Sequence, residues 1–159
     1  MKLDRLDARL IEALQKDGRR PVVDLAAEVG LSGTPCARRI RLLEDAGVIQ
    51  GYTAIVDPVR LGLKVQAFVR VKLARHTDDN LEQFRSSASA LEEVVSCYAT
   101  TGEYDYLLHV VAPDLEALSN IVLKKLMKIA SVRDVHSSIV LDTVKRSLRV
   151  PLGHLEQGG

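Results

Sequence analysis

The apolar residues of this chain keep two different rhythms. Up to about residue 46 they recur every three to four positions, and from residue 63 onward they fall mainly on alternate positions. A helix buries a stripe at the first spacing and a strand buries one face at the second. No single regular element satisfies both. The chain must therefore join a helical part to a sheet-containing part, and Pro58 and Gly62 punctuate the sequence where the rhythm changes. The expectation is an α+β protein with a first domain at residues 1–56, a linker at 57–62, a second domain at 63–146 and a C-terminal tail at 147–159. A length of 159 residues accommodates two modest cores.

Leu6, Leu10, Ile11 and Leu14 form the stripe of a first amphipathic helix that ends around Lys16-Asp17-Gly18. Pro21 opens a second, short helix carrying Val22, Leu25, Ala26 and Val29, which Gly30 breaks. Leu31 to Pro35 supply a tight turn and an N-capping side chain before a third helix that runs to about Ala46 and ends at Gly47. Two short helices separated by a Gly-containing turn form the helix-turn-helix pattern. The stretch Val48 to Val56 is rich in β-branched and aromatic residues and predicts a strand plus linker, which gives the head a winged character.

Beyond the linker the order is strand, helix, strand, strand, helix, strand. The first strand, Leu63 to Leu73, sets Val65, Ala67, Val69, Val71 and Leu73 on one face and Gln66, Phe68, Arg70 and Lys72 on the other. A helix follows Thr77-Asp78-Asp79 with Leu81, Phe84, Ala88 and Leu91 as its stripe. Val94 to Thr100 and Tyr106 to Ala112 form a hairpin about Gly102. Pro113-Asp114 caps a helix carrying Leu115, Leu118, Val122, Leu126 and Ile129, and a last strand covers Val135 to Val144. This is the ferredoxin-like βαββαβ arrangement.

Charge and cysteine usage restrict the function. A net charge of +1 makes the chain no polycation, so affinity for nucleic acid must come from a local patch. Cys36 and Cys97 stand alone, with no clustered histidines, so no metal site, cofactor or disulfide framework is expected. Met1-Lys2-Leu3-Asp4 starts no apolar leader and no stretch reaches the length of a membrane span, so the expected location is the cytoplasm, with no membrane partner.

The third helix carries the patch. At about 100° per residue from Cys36, Ile40 and Leu43 fall within about 40°, whereas Thr34, Arg38 and Arg41 fall at roughly 140° to 200° and Arg39 lies nearer the rim. No acid intervenes between Glu28 and Glu44. An arginine on a major-groove helix reads guanine with two hydrogen bonds, and Ser or Thr at the helix start meets phosphate or base edges. Ser32, Thr34, Pro35, Arg38, Arg39 and Arg41 are thus the expected contacts to double-stranded DNA, with Arg38 reading bases. Alone, such a run is a solvated face; its place after the turn favours DNA. Arg39 has the competing option of pairing with a neighbouring helix.

The runs Leu31-Ser32-Gly33-Thr34-Pro35-Cys36, Arg39-Ile40-Arg41-Leu42-Leu43-Glu44 and Gly47-Val48-Ile49-Gln50-Gly51-Tyr52-Thr53-Ala54 resemble the Lrp/AsnC (feast/famine) family of transcription regulators, close to its leucine-responsive branch. Gly102-Glu103-Tyr104-Asp105-Tyr106-Leu107-Leu108 is similar to the effector loop of that family's ligand-sensing (RAM) domain. The resemblance implies a sequence-specific regulator modulated by an amino acid such as leucine, another branched-chain residue or methionine. It also implies homodimers that assemble further, commonly to octamers. Its effector site would draw on Gly102, Glu103, Tyr104 and Asp105, with Leu115, Ile139 and Val140 as an apolar wall between dimers. An amino acid needs an acid for its ammonium and donors for its carboxylate. Asp105 or Glu103 could serve the first, and Thr100, Thr101 and the Gly102 backbone the second, although Thr-Gly-Glu is also ordinary turn chemistry.

Two other functions fit less well. An architectural DNA protein would bind without responding to metabolites. An enzyme on a ferredoxin-like fold would need converging groups, but His76, His109, His136 and His154 sit in different elements and no nucleophile-base pair is visible. A non-enzyme is expected.

Overall fold

The first helix, α1 (Arg5–Lys16), starts on a reciprocal cap: Asp7 N–H donates to the Asp4 carboxylate at 2.9 Å and Asp4 N–H to the Asp7 carboxylate at 3.0 Å. In this computed structural model, which describes residues 2–156, α1 packs with α2 (Val22–Val29) and α3 (Gly33–Asp45). Leu10, Ala13, Leu25, Ala26, Val29, Cys36 and Ile40 close the shared core. Gly30 takes φ +75°, the left-handed conformation that turns α2 toward α3 with no Cβ penalty.

The strand expected at Val48 to Val56 does not form. Among the described residues no element lies between α3 and Val65, because β-branched composition favours extended backbone but cannot supply a partner strand. Tyr52 fixes the segment instead: its hydroxyl donates to Glu44 at 2.9 Å, and its ring lies where a Cβ on Gly18 would come within 3.1 Å. Burial and the Glu44 carboxylate push the Tyr52 hydroxyl up to about 12. The segment expected as a linker folds into turns, with Leu61 N–H donating to the Pro58 carbonyl at 3.1 Å, and groups with the second unit, which runs from Val56 to Val144.

The C-terminal segment, expected as a tail, is tied from Lys145 to the first unit. The Gln15 side chain pairs with the backbone of Val150 in both directions, accepting its N–H at 2.6 Å and donating to its carbonyl at 3.2 Å. A short α6 (Gly153–Glu156) follows, with Leu152 and Leu155 half-buried. Gln157 to Gly159, the end of the expected tail, lie outside the described residues.

The second unit is a four-stranded antiparallel sheet in the order β2 (Val94–Ala99), β3 (Tyr106–Ala112), β1 (Val65–Leu73), β4 (Val132–Ile139). Ala67, Val69, Val71 and Leu73 alternate inward as expected, against Tyr106, Leu108, Val110 and Ala112. Thr77 caps α4 (Asp78–Ser89), which adds Phe84 and Ala88 to that core. The last strand stops at Ile139 rather than Val144 because its partner β1 begins at Val65: Ile139 pairs with Ala67, Val140 N–H reaches the Gln66 carbonyl at 2.8 Å, and no ladder remains for residues 141–144.

The helix expected over residues 115–129 is broken. After α5 (Leu115–Asn120) come a π turn, Ile121–Lys125, and a 3₁₀ turn, Leu126–Lys128. Ile121 and Leu126 are both buried, and their five-residue spacing fits a π turn rather than an α stripe through Val122.

Candidate DNA-recognition and effector-binding sites

Helix α3 separates its arginines by role. Cys36, Ile40 and Leu43 are buried, and Ser32, Thr34, Pro35, Arg38 and Arg41 are exposed on the other side. Arg38 and Arg41 form no ion pair among the described residues. Arg39 is engaged inward, donating to Asp7 at 2.7 Å and Asp4 at 2.8 Å. The hydrogen bonds to Asp7 and Asp4 outweigh burial and push the guanidinium up further. Burial raises the Asp4 carboxyl, but the Asp7 N–H and Arg39 more than offset it and hold it below its usual range.

Ser32 occupies the N-cap position of α3, yet its side chain makes no capping hydrogen bond, unlike Asp4 and Thr77. Its hydroxyl therefore stays outside the helix's own bonding. Arg9, whose role the helical stripe did not reveal, donates to the Glu28 and Val29 carbonyls at the end of α2. That placement complements the negative end of the helix. Its signal in the sequence is only a cation on the wet face of α1.

In the second unit Thr100 to Asp105 form one hairpin turn. Thr100 N–H donates to the Asp105 carbonyl at 2.9 Å, the Thr100 hydroxyl to the Tyr104 carbonyl at 3.0 Å, and Gly102 takes φ +113°. The Asp105 carboxylate is turned to structure. One oxygen accepts Leu73 N–H at 2.7 Å and the other lies 2.6 Å from His76 Nε2. Burial raises this carboxyl, but the Leu73 N–H, His76 and the Lys72 charge outweigh it and hold it low. Glu103 and Thr101 are exposed.

Sequence reasoning left His76 as an isolated histidine and did not link Arg70 or His136 to the loop. Arg70 lies over the Tyr104 ring at 5.0 Å and the His136 ring lies 6.4 Å from it. Arg70 and His136 face each other across β1 and β4, a pairing that only the register reveals.

The remaining expected effector residues lie elsewhere. Val71 pairs with Tyr106 beside the turn, whereas Val65 pairs with Ala112 and Ala67 with Ile139 at the opposite end of the sheet. Leu115 follows that far end, and Ile139 and Val140 close it. Seven residues of β3 span roughly 20 Å, so one chain does not bring this wall to the turn. Leu115 and Ile139 are exposed and Val140 is half-buried.

No group of three or more potential metal ligands converges among the described residues, and none of their helices is long and apolar enough to cross a membrane. Residues 3–44 match the AsnC-type helix-turn-helix domain, and residues 66–150 match the Lrp/AsnC ligand binding domain. Over 148 residues the chain is 41% identical to a Leucine-responsive regulatory protein of Klebsiella pneumoniae, covering 93% of this chain and 90% of that protein. A transcriptional regulator of Neisseria meningitidis, solved as a complex with L-Met, superposes with TM-score 0.92 at 42% identity, over 96% of this chain and 99% of that one. An AsnC family transcriptional regulator of Agrobacterium tumefaciens gives TM-score 0.90 at 40% identity, over the same shares. Head, sheet domain and their order all coincide with these relatives, and the chain is a member of the Lrp/AsnC family of transcription regulators.

Proposed function

We propose that this regulator reads its operator through Arg38, with Ser32, Thr34, Pro35 and Arg41 on phosphate or mixed contacts. The observation that carries the assignment is the division of labour on α3: Arg39 is held by Asp4 and Asp7, while Arg38 and Arg41, opposite the buried stripe, form no ion pair among the described residues. Arg39 then acts by bracing α3 against α1 and not as a DNA contact. Two heads related by a dyad read two half-sites, so the working species is at least a homodimer. Its surface is the uncovered sheet face, where Phe68 is 42% exposed and stacks on His109 at 5.0 Å.

The effector is an amino acid, with leucine, another branched-chain residue and methionine the first candidates given the names of the relatives. Glu103 takes the ammonium, the Gly102 backbone and Thr101 take the carboxylate, and Asp105 with His76 holds the turn in shape. The apolar wall of Leu115, Ile139 and Val140 comes from another copy of the chain, because within one chain it lies across the sheet. Effector binding therefore favours a particular assembly, commonly an octamer in this family, and shifts DNA affinity by that preference. The protein works in the cytoplasm and has no catalytic role.

The test is duplex selection from a randomised library, followed by titration of the selected duplex with and without each amino acid. Selection of a defined motif and an amino-acid-dependent shift support the reading. Binding without preference at low salt and no response to any amino acid would instead mark an architectural DNA protein.

A further inference from the structure

On the helix-covered side of the second unit lies an open cleft of about 430 Å³, lined by Gln83, Ser87 and Leu91 from one side and Lys125, Lys128, Ile129 and Ala130 from the other. Small-molecule sites range from roughly 300 to 1,000 Å³, so the space suits a metabolite. None of residues 100–105 lines it.

Its wall is made by the broken helix. Gln83 and Ser87 stand one turn apart on α4, and Leu91 continues that line beyond the helix end. Opposite them the chain leaves α geometry, through the π turn that carries Lys125 and the 3₁₀ turn that carries Lys128. Departures of this kind concentrate at functional sites. One residue beyond Ala130, the hydroxyl of Ser131 is buried without a hydrogen-bond partner.

The lining has a definite chemistry. It offers two ammonium groups, an amide and a hydroxyl over apolar Leu91 and Ile129, and no acid. Glu93 holds Lys125 by an ion pair at 2.5 Å but is not part of the lining, so Lys128, which forms no ion pair among the described residues, is left for a ligand. A carboxylate finds a cation and donors here, and a short hydrocarbon tail finds an apolar floor. The ammonium of a free amino acid meets two cations, and the carboxylate beside them, Glu93, is already engaged by Lys125.

We propose that this cleft binds a small monocarboxylate with an apolar tail and no ammonium, of the 2-oxo acid class, at a site separate from the hairpin turn. It takes 4-methyl-2-oxopentanoate and discriminates against leucine, which has the same carbon skeleton.

Calorimetric titration of the full chain with 4-methyl-2-oxopentanoate tests this. The wild type gives a saturable isotherm, and Lys128→Glu weakens it by about tenfold or more. Ser87→Trp, which fills the cleft, abolishes it, and Asp105→Ala leaves it unchanged, with circular dichroism showing each variant folded. No saturable heat up to about 10 mM ligand overturns the proposal. So does binding that survives Lys128→Glu and is lost in Asp105→Ala, which places the ligand at the hairpin turn. The amino-acid reading is decided separately by leucine and methionine titrations of Glu103→Gln.

Discussion

Arg39 of α3 reaches back to Asp7 of α1 at 2.7 Å, and Asp7 is itself a capping residue of its helix and almost fully buried. One guanidinium thus ties the start of α1 to α3. Removing it leaves a buried carboxylate without its counter-charge. Arg39→Ala is expected to destabilise the protein by about 1 to 3 kcal/mol, below the cost of a fully buried pair because the arginine remains partly exposed. Thermal unfolding measures this, and a melting temperature equal to wild type would remove Arg39 from its bracing role.

Arg38 and Arg41 should behave in the opposite way, leaving stability within about 0.5 kcal/mol of wild type because they are exposed and form no ion pair among the described residues. Arg38→Ala should cost about 1 to 3 kcal/mol at one base position and relax preference there. Arg41→Ala should weaken all duplexes alike and reduce the salt slope of binding by about one. Fluorescence anisotropy against single-substituted operators at several salt concentrations separates these outcomes. Equal discrimination by Arg38→Ala and wild type would overturn the base-reading assignment.

The Asp105 contacts give the second unit a signature in acid. Its carboxyl is held below the usual carboxylate range, so its contribution to folding is complete above that range and is lost as pH falls through the lowered value. Urea midpoints should therefore drop across this interval in the wild type and drop less in Asp105→Asn. Parallel curves for the two proteins would show that the contacts with Leu73 and His76 add nothing to stability.

Phe68 supplies a test of assembly. It is partly exposed in the single chain, beyond the inward-facing core, so Phe68→Asp should preserve the fold while opposing burial of the sheet face in a partner. Sedimentation velocity should show a shift to smaller species with an unchanged far-ultraviolet spectrum. A variant that keeps the wild-type mass moves the interface elsewhere.

Elements with one strong period were legible from the sequence. Cys36, Ile40 and Leu43 occupy the buried stripe of α3 because helical spacing alone decides that face, and β1 alternates inward from Ala67 to Leu73 for the equivalent reason. The failures share another cause, since each depended on a partner distant in sequence. Val48 to Val56 has the composition of a strand but no neighbour to pair with. β4 ended where β1 ran out, and the π turn answered the sheet below it. At the candidate sites the exposed ridge was legible, whereas His76 meets Asp105 across 29 positions and Arg39 meets Asp7 across 32, distances over which no local pattern operates.

The pairing of Gln15 with Val150 bears on how the molecule is made. Its two ends are separated by 135 positions. At typical synthesis rates α1 leaves the ribosome roughly 7 to 27 s before the residue that its glutamine binds. The head can collapse around Leu10 and Leu25 during that interval, but the Gln15 hydrogen bonds wait until Val150 has been made. A newly made chain thus acquires its finished helix-turn-helix unit only after its ligand-binding domain has been translated.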